Sequence, residues 1–150
     1  MPETTLTPPT LVERIFNRVF GWLVAIGAAP ASFYLLEVRG RKSGRVYSMP
    51  VDLLELDGRT YLVAPRGNTQ WSRNARASGM VTLRRGRRRD EYSVIELDDG
   101  VKPKVLKAYL DAYSGQVQRF FPVPAGSPPE AFAPLAPAYP CFELRASPPR

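Results

Sequence analysis

The 150-residue sequence contains no histidine and a single cysteine, Cys141. Without histidine the chain cannot assemble a Ser-His-Asp or Cys-His catalytic set or a His-ligated metal site, and one thiol cannot form an internal disulfide. Cys141 stands in "YPCFEL" with nothing nearby to depress its pKa, so it reads as a buried strand residue rather than a nucleophile. Also missing is an apolar run of the roughly 18 residues that a membrane span needs. Chemistry must therefore come from Tyr, Ser, Lys, Arg and carboxylates, or from a bound cofactor.

What is present is a hydrophobic content of 44%, enough at this length for one real core and hence one domain. The net charge of +7 directs any charged partner toward the anionic: nucleic acid, a membrane surface, or a phosphorylated or carboxylated ligand.

Residues 1–9 are polar and proline-rich and read as a flexible tail, leaving residues 10–150 as the domain. Thr10 to Glu13 forms a capping box ahead of a helix whose apolar face includes Leu11, Ile15, Val19 and Trp22. That helix packs on the domain in the preferred reading. A secretory signal or a helix resting on a lipid surface are the lesser alternatives. The expected location is cytoplasmic, with this helix permitting membrane association.

From Ser32 to Leu97 the pattern is one of strands punctuated by glycine turns, with Asp57-Gly58 and Arg85-Gly86-Arg87 as hairpin signals. "NTQWSRNARAS" suits a short helix capped by Asn68 or Thr69 and ended near Gly79. A further helix places Val101, Val105, Ala108 and Ala112 on one stripe and stops at Ser114-Gly115. The Pro- and Ala-rich stretch 121–140 predicts a wrap with at most one helical turn, and "CFELR" a last strand. Five or six strands with hairpin links and peripheral helices predict a mainly β (α+β) fold, a small antiparallel barrel.

Two basic runs stand out. In "GRKSG" (40–44) two glycines permit a tight turn whose backbone N–H groups and Ser43 hydroxyl could hold a phosphate, with Arg41 and Lys42 supplying charge. A solvated hairpin tip is the competing reading of these residues alone. "LRRGRRRDE" has neither interleaved aromatics nor a helix for a groove, which argues against nucleic acid.

Taken in order, "GRKSG", "MPV" at 49–51, the "DG" turn, "YLVAPRG" and "WSRNARASGMVTL" resemble the deazaflavin-dependent nitroreductase family of split β-barrel fold, over about Phe33 to Leu83. The resemblance implies an oxidoreductase that binds coenzyme F-420, a flat 5-deazaflavin with a phosphate and an anionic oligoglutamate tail. It implies phosphate binding by Arg41, Lys42, Ser43 and Gly44, a ring wall at Met49, Pro50 and Val51, and a second wall at Ala64, Pro65, Arg66 and Gly67. Trp71 and Asn74 would close the site, and Arg41, Lys42, Arg45 and Arg66, with Arg73 as a further candidate, would add charge for the tail. Core packing is an equal reading for Trp71, and turn chemistry for Asn74.

The departures fall on the acceptor side. Where the family carries tyrosines three apart, this chain has Tyr113, Gln116 and Arg119, followed by Phe120 and Phe121; Pro65 and Asp52 also replace family residues. Tyr113 remains the candidate proton donor, with an ordinary packing role as its competitor. Hydride would pass to a small electron-poor acceptor: a quinone, enone or nitro compound. The alternatives are an FMN-binding split-barrel protein and a non-catalytic binder of lipid or another anion. No metal is expected, and a homodimer is compatible with the fold.

Overall fold

The computed structural model describes residues 33–146. The expected tail, the N-terminal helix and its membrane or signal readings lie outside the described residues.

Seven strands form one sheet: β1 (Phe33–Arg39), β2 (Val46–Asp52), β3 (Leu54–Leu56), β4 (Arg59–Val63), β5 (Met80–Arg85), β6 (Arg88–Glu96) and β7 (Cys141–Ala146). Their order is β2-β1-β5-β6-β7-β4-β3, and every pairing is antiparallel. Helix α1 (Gln70–Ser78) enters β5, and α2 (Lys102–Val117) follows β6. This curled antiparallel sheet with peripheral helices is the expected architecture, with one more strand than the sequence predicted. The long apolar run from Val46 to Leu56 breaks at Leu53, so that β2 ends on β1 while β3 turns to pair with β4.

The predicted hairpin at Asp57-Gly58 has both residues left-handed, at φ 53° and 76°, the conformation that matches the twist of the flanking strands. Gly79 ends α1 at φ 72°, its N–H bonding to the Ala75 carbonyl, as the sequence predicted. Of the arginines in the second basic run, Arg85 donates to the Phe33 carbonyl (2.8 Å), Arg88 pairs with Asp90 and Arg89 pairs with Glu37 (both 2.8 Å). Much of that charge is spent within the sheet.

Strand alternation divides the interior in two. Leu36, Val38, Leu62, Ala64, Val81, Leu83, Phe142 and Leu144 pack with Trp71 and Ala75 of α1. Tyr61, Val63 and Cys141 point the other way, against Val105, Leu106, Tyr109 and Leu110 of α2 and against Phe132. Adjacent residues of β4 and β7 thus serve opposite cores.

Two helical expectations are corrected. The buried stripe of α2 is Lys102, Val105, Leu106, Tyr109, Leu110 and Val117, while Val101 and Ala112 are exposed. The bulkier residues at i+4, i+7 and i+8 from Lys102 bury more apolar area than the alanines and set the helix phase. The helix also runs through Gly115 to Val117, absorbing a non-helical Tyr113 (φ −123°, ψ 25°) instead of stopping. Second, Pro129–Ala138 is a ten-residue 3-10 helix rather than a single turn. Pro134 and Pro137 lack the N–H an α-helix would use, and the tighter coil still carries Phe132 and Ala136 into the core.

Among the described residues no helix is long and apolar enough to cross a membrane, and no cluster of metal-ligating side chains occurs.

Candidate functional site

The turn between β1 and β2 is closed by its own backbone. Gly40 N–H donates to the Arg45 carbonyl (2.6 Å), Gly44 N–H to the Gly40 carbonyl (3.0 Å), and Arg39 to the Gly44 carbonyl (2.9 Å). Gly44 sits at φ 74°, a conformation open to glycine at little cost. The amides of Lys42 and Ser43 are left with no partner among the described residues. Lys42 and the Arg45 guanidinium are exposed and make no ion pair there.

Arg41 behaves differently from its neighbours. Its Nη1 donates to Gln70 Oε1 (2.9 Å) and Asn74 Oδ1 (2.7 Å), and its backbone N–H reaches the same Asn74 oxygen (3.1 Å). The basic turn is therefore bolted to α1. Gln70 was not among the sequence-predicted residues, although its spacing of four from Asn74 puts both on one helix face.

Along β2, Met49 and Val51 share a face and pack against the cluster that holds Ala64 and Trp71. Pro50 points to the opposite face, and β2 is an edge strand, where proline is tolerated. Trp71 is buried, its ring 6.0 Å from that of Phe142, so it anchors the core behind the site. Ala64 is fixed by its N–H to the Pro140 carbonyl (2.9 Å), and Gly67 turns the chain at φ 91°. Pro65 and Arg66 are half-buried in that turn. Arg66 lies 4.5 Å from the centre of the Phe120 ring, and Arg119 lies 4.7 Å from it. The segment at 64–67 thereby touches the segment at 118–121 through Phe120, a contact that sequence reading missed.

Tyr113 is half-buried at the kink of α2, its ring 5.4 Å from Tyr109. Its hydroxyl donates to the carbonyl of Leu53, at the break between β2 and β3. Tyr109 is buried, and desolvation drives its pKa far above the phenol range. Burial pushes the Tyr139 phenol up to about 12, and that hydroxyl donates to the Phe120 carbonyl.

These parts come together as an exposed cationic turn with two amides that have no partner among the described residues, joined to an apolar wall. The donor set suits a phosphate, and the wall suits a flat, largely apolar ring.

Comparison with known proteins identifies the family and the fold. The profile of the F-420H(2)-dependent quinone reductase family matches residues 16–122. Among solved structures, an F-420-H2 dependent reductase (FDR-A) superposes with a TM-score of 0.51 at 20% identity, covering 77% of this chain and 95% of that one. A chain described as a domain-swapped dimer gives 0.55 at 18% identity, covering 89% and 96%. A putative pyridoxamine 5'-phosphate oxidase from Listeria innocua gives 0.51 at 9% identity, covering 78% and 85%. No curated protein matches at a significant level. The similar structures share the split-barrel fold, and the family profile spans most of the chain. The protein belongs to the F-420H(2)-dependent quinone reductase family and is an oxidoreductase that uses reduced coenzyme F-420 to reduce a small electron-poor acceptor.

Proposed function

We propose that the Gly40–Arg45 turn holds the cofactor phosphate, that Met49, Val51 and Ala64 form the ring wall, and that the acceptor enters beside Tyr113, Phe120 and Arg119. The observation that carries this reading is the state of the turn. Arg41 is held by Gln70 and Asn74, whereas Lys42 and Arg45 project from a closed loop with the Lys42 and Ser43 amides open to a ligand.

The cofactor, when bound, supplies the hydride. The chain's own task is positioning. Lys42, Ser43 and the turn amides fix the phosphate end, Arg45 and Arg66 offer charge to the carboxylate tail, and Pro65 and Gly67 shape the turn beyond Ala64. Pro50 lies between Met49 and Val51 in the same wall strand. Trp71 and Asn74 support the site from α1 rather than from the ligand's own surface.

For the acceptor, a quinone is the reading that the family name favours. Arg66 and Arg119, both packed on the Phe120 ring, place two cations on the proposed acceptor side, where the carbonyl oxygens of a quinone could be met. A homodimer is also proposed: β2 is an edge strand with Val46 exposed on the face opposite Tyr47, and one similar structure is described as a domain-swapped dimer. Sedimentation velocity would detect it.

Absorbance and fluorescence titration with F-420 and FMN tests the cofactor assignment. Tight binding of F-420 and none of FMN is expected. Tight binding of FMN alone, or of neither, would sink it.

A further inference from the structure

We propose that Tyr47 is a positioning residue of the cofactor site that acts through Ser43, an inference resting on the reading of the Gly40–Arg45 turn as a phosphate cradle. Three observations converge on it. The first is strand parity. Tyr47, Met49 and Val51 are two apart on β2 and therefore share the face assigned to the cofactor ring, with Tyr47 at the end nearest the turn. Its large ring is 47% exposed there, beside the site rather than inside the core.

The second is hydrogen-bond accounting at Ser43. A hydroxyl donates one hydrogen bond and accepts two. Ser43 Oγ accepts from the Arg45 N–H (3.2 Å) and lies 3.2 Å from the Tyr47 hydroxyl. A phenol is the better donor of the two hydroxyls, so the Tyr47 proton points to Ser43. Both lone pairs of Ser43 are then occupied, and its own proton is left to point out of the turn. Tyr47 thereby sets the Ser43 hydroxyl as a donor toward an anion instead of leaving it free to rotate.

The third is steric. A Cβ placed on Gly40 would stand 2.7 Å from Tyr47 Cε2 and 2.9 Å from Ser43 Oγ. The absence of a side chain at Gly40 is what lets the tyrosine ring and the serine lie together over the turn.

The test compares the affinities of wild type, Tyr47→Phe, Ser43→Ala, the double variant and Lys42→Ala for F-420 and for the deazariboflavin portion without phosphate or tail. Circular dichroism verifies that each variant is folded. Tyr47→Phe is expected to weaken F-420 binding by roughly fivefold, to leave deazariboflavin binding unchanged, and to add nothing in the Ser43→Ala background. If Lys42→Ala weakens F-420 binding while Tyr47→Phe does not, the turn stands and the relay falls. The relay also falls if Tyr47→Phe weakens both ligands equally, or if its effect adds fully to that of Ser43→Ala. If no variant alters F-420 affinity, the cradle and the relay fall together.

Discussion

Asn74 Oδ1 receives two hydrogen bonds from Arg41, a residue 33 positions earlier: one from the guanidinium at 2.7 Å and one from the backbone N–H at 3.1 Å. A single buried amide oxygen thus sets both the direction of the Arg41 side chain and the position of the turn. Asn74→Ala removes both, and should cost about 1 to 2 kcal/mol of folding stability. The affinity for F-420 should fall as the turn loosens. Chemical denaturation and a cofactor titration measure the two effects separately, and wild-type affinity in the variant would remove Asn74 from the site.

Lys42 lies in the same turn but without a partner among the described residues. Its loss should leave stability unchanged and weaken F-420 binding by about 1 to 3 kcal/mol, the value of one charge-assisted phosphate contact. The dependence of affinity on salt should also flatten. A Lys42→Ala variant with wild-type affinity and salt response would move the phosphate elsewhere.

Tyr113 can be assigned by Tyr113→Phe. Loss of a proton donor would lower kcat by about 100-fold or more, whereas loss of the anchor on the Leu53 carbonyl would cost about 1 kcal/mol of stability. Because its proton is already engaged at the β2–β3 break, the second outcome is expected. A large drop in kcat with unchanged stability would restore the donor role.

Glu143 is buried on β7 between Arg145 (2.7 Å) and Arg59 (3.0 Å). The hydrogen bond from Arg145, helped by the charges of Arg145 and Arg59, holds its carboxyl below the ordinary value of 4.5 despite burial. A depressed folded pKa means that the stabilisation is fully present above the unfolded value and is lost as pH falls through the folded one. Glu143→Gln should therefore be less stable than wild type at pH 7, and the gap should close at acid pH. Denaturation midpoints across pH 3 to 7 give the comparison, and a gap independent of pH would contradict it.

Cys141 is fully buried, and desolvation pushes its thiol up to about 12. The native protein should resist thiol reagents and the denatured chain should react at one equivalent. Rapid labelling of native protein would show that β7 opens easily.

Much of this architecture could be read locally. The hairpin at Asp57-Gly58, the Gly79 stop and the alternating strands depend on neighbours in sequence, and so did the cationic turn. What could not be read was tertiary. Nothing near Arg41 in sequence indicates Gln70 or Asn74, and nothing near Glu143 indicates Arg59. The phase of α2 was misjudged because alanines fit a stripe as well as bulky residues do until the facing surface is known. The 3-10 helix was missed because prolines read as breakers, although they break only the α-helical pattern. Tyr47 could have been found, since it shares parity with Met49 and Val51.

The alternation of β4 and β7 between two cores has a consequence for descent. The wall behind the proposed cofactor turn and the apolar mass under Tyr113 and Phe120 are built from different side chains of the same strands. If the proposed site is right, a lineage could exchange acceptors by replacing residues of one parity and keep its cofactor with the other. A one-residue slip in register would scramble both inheritances at once.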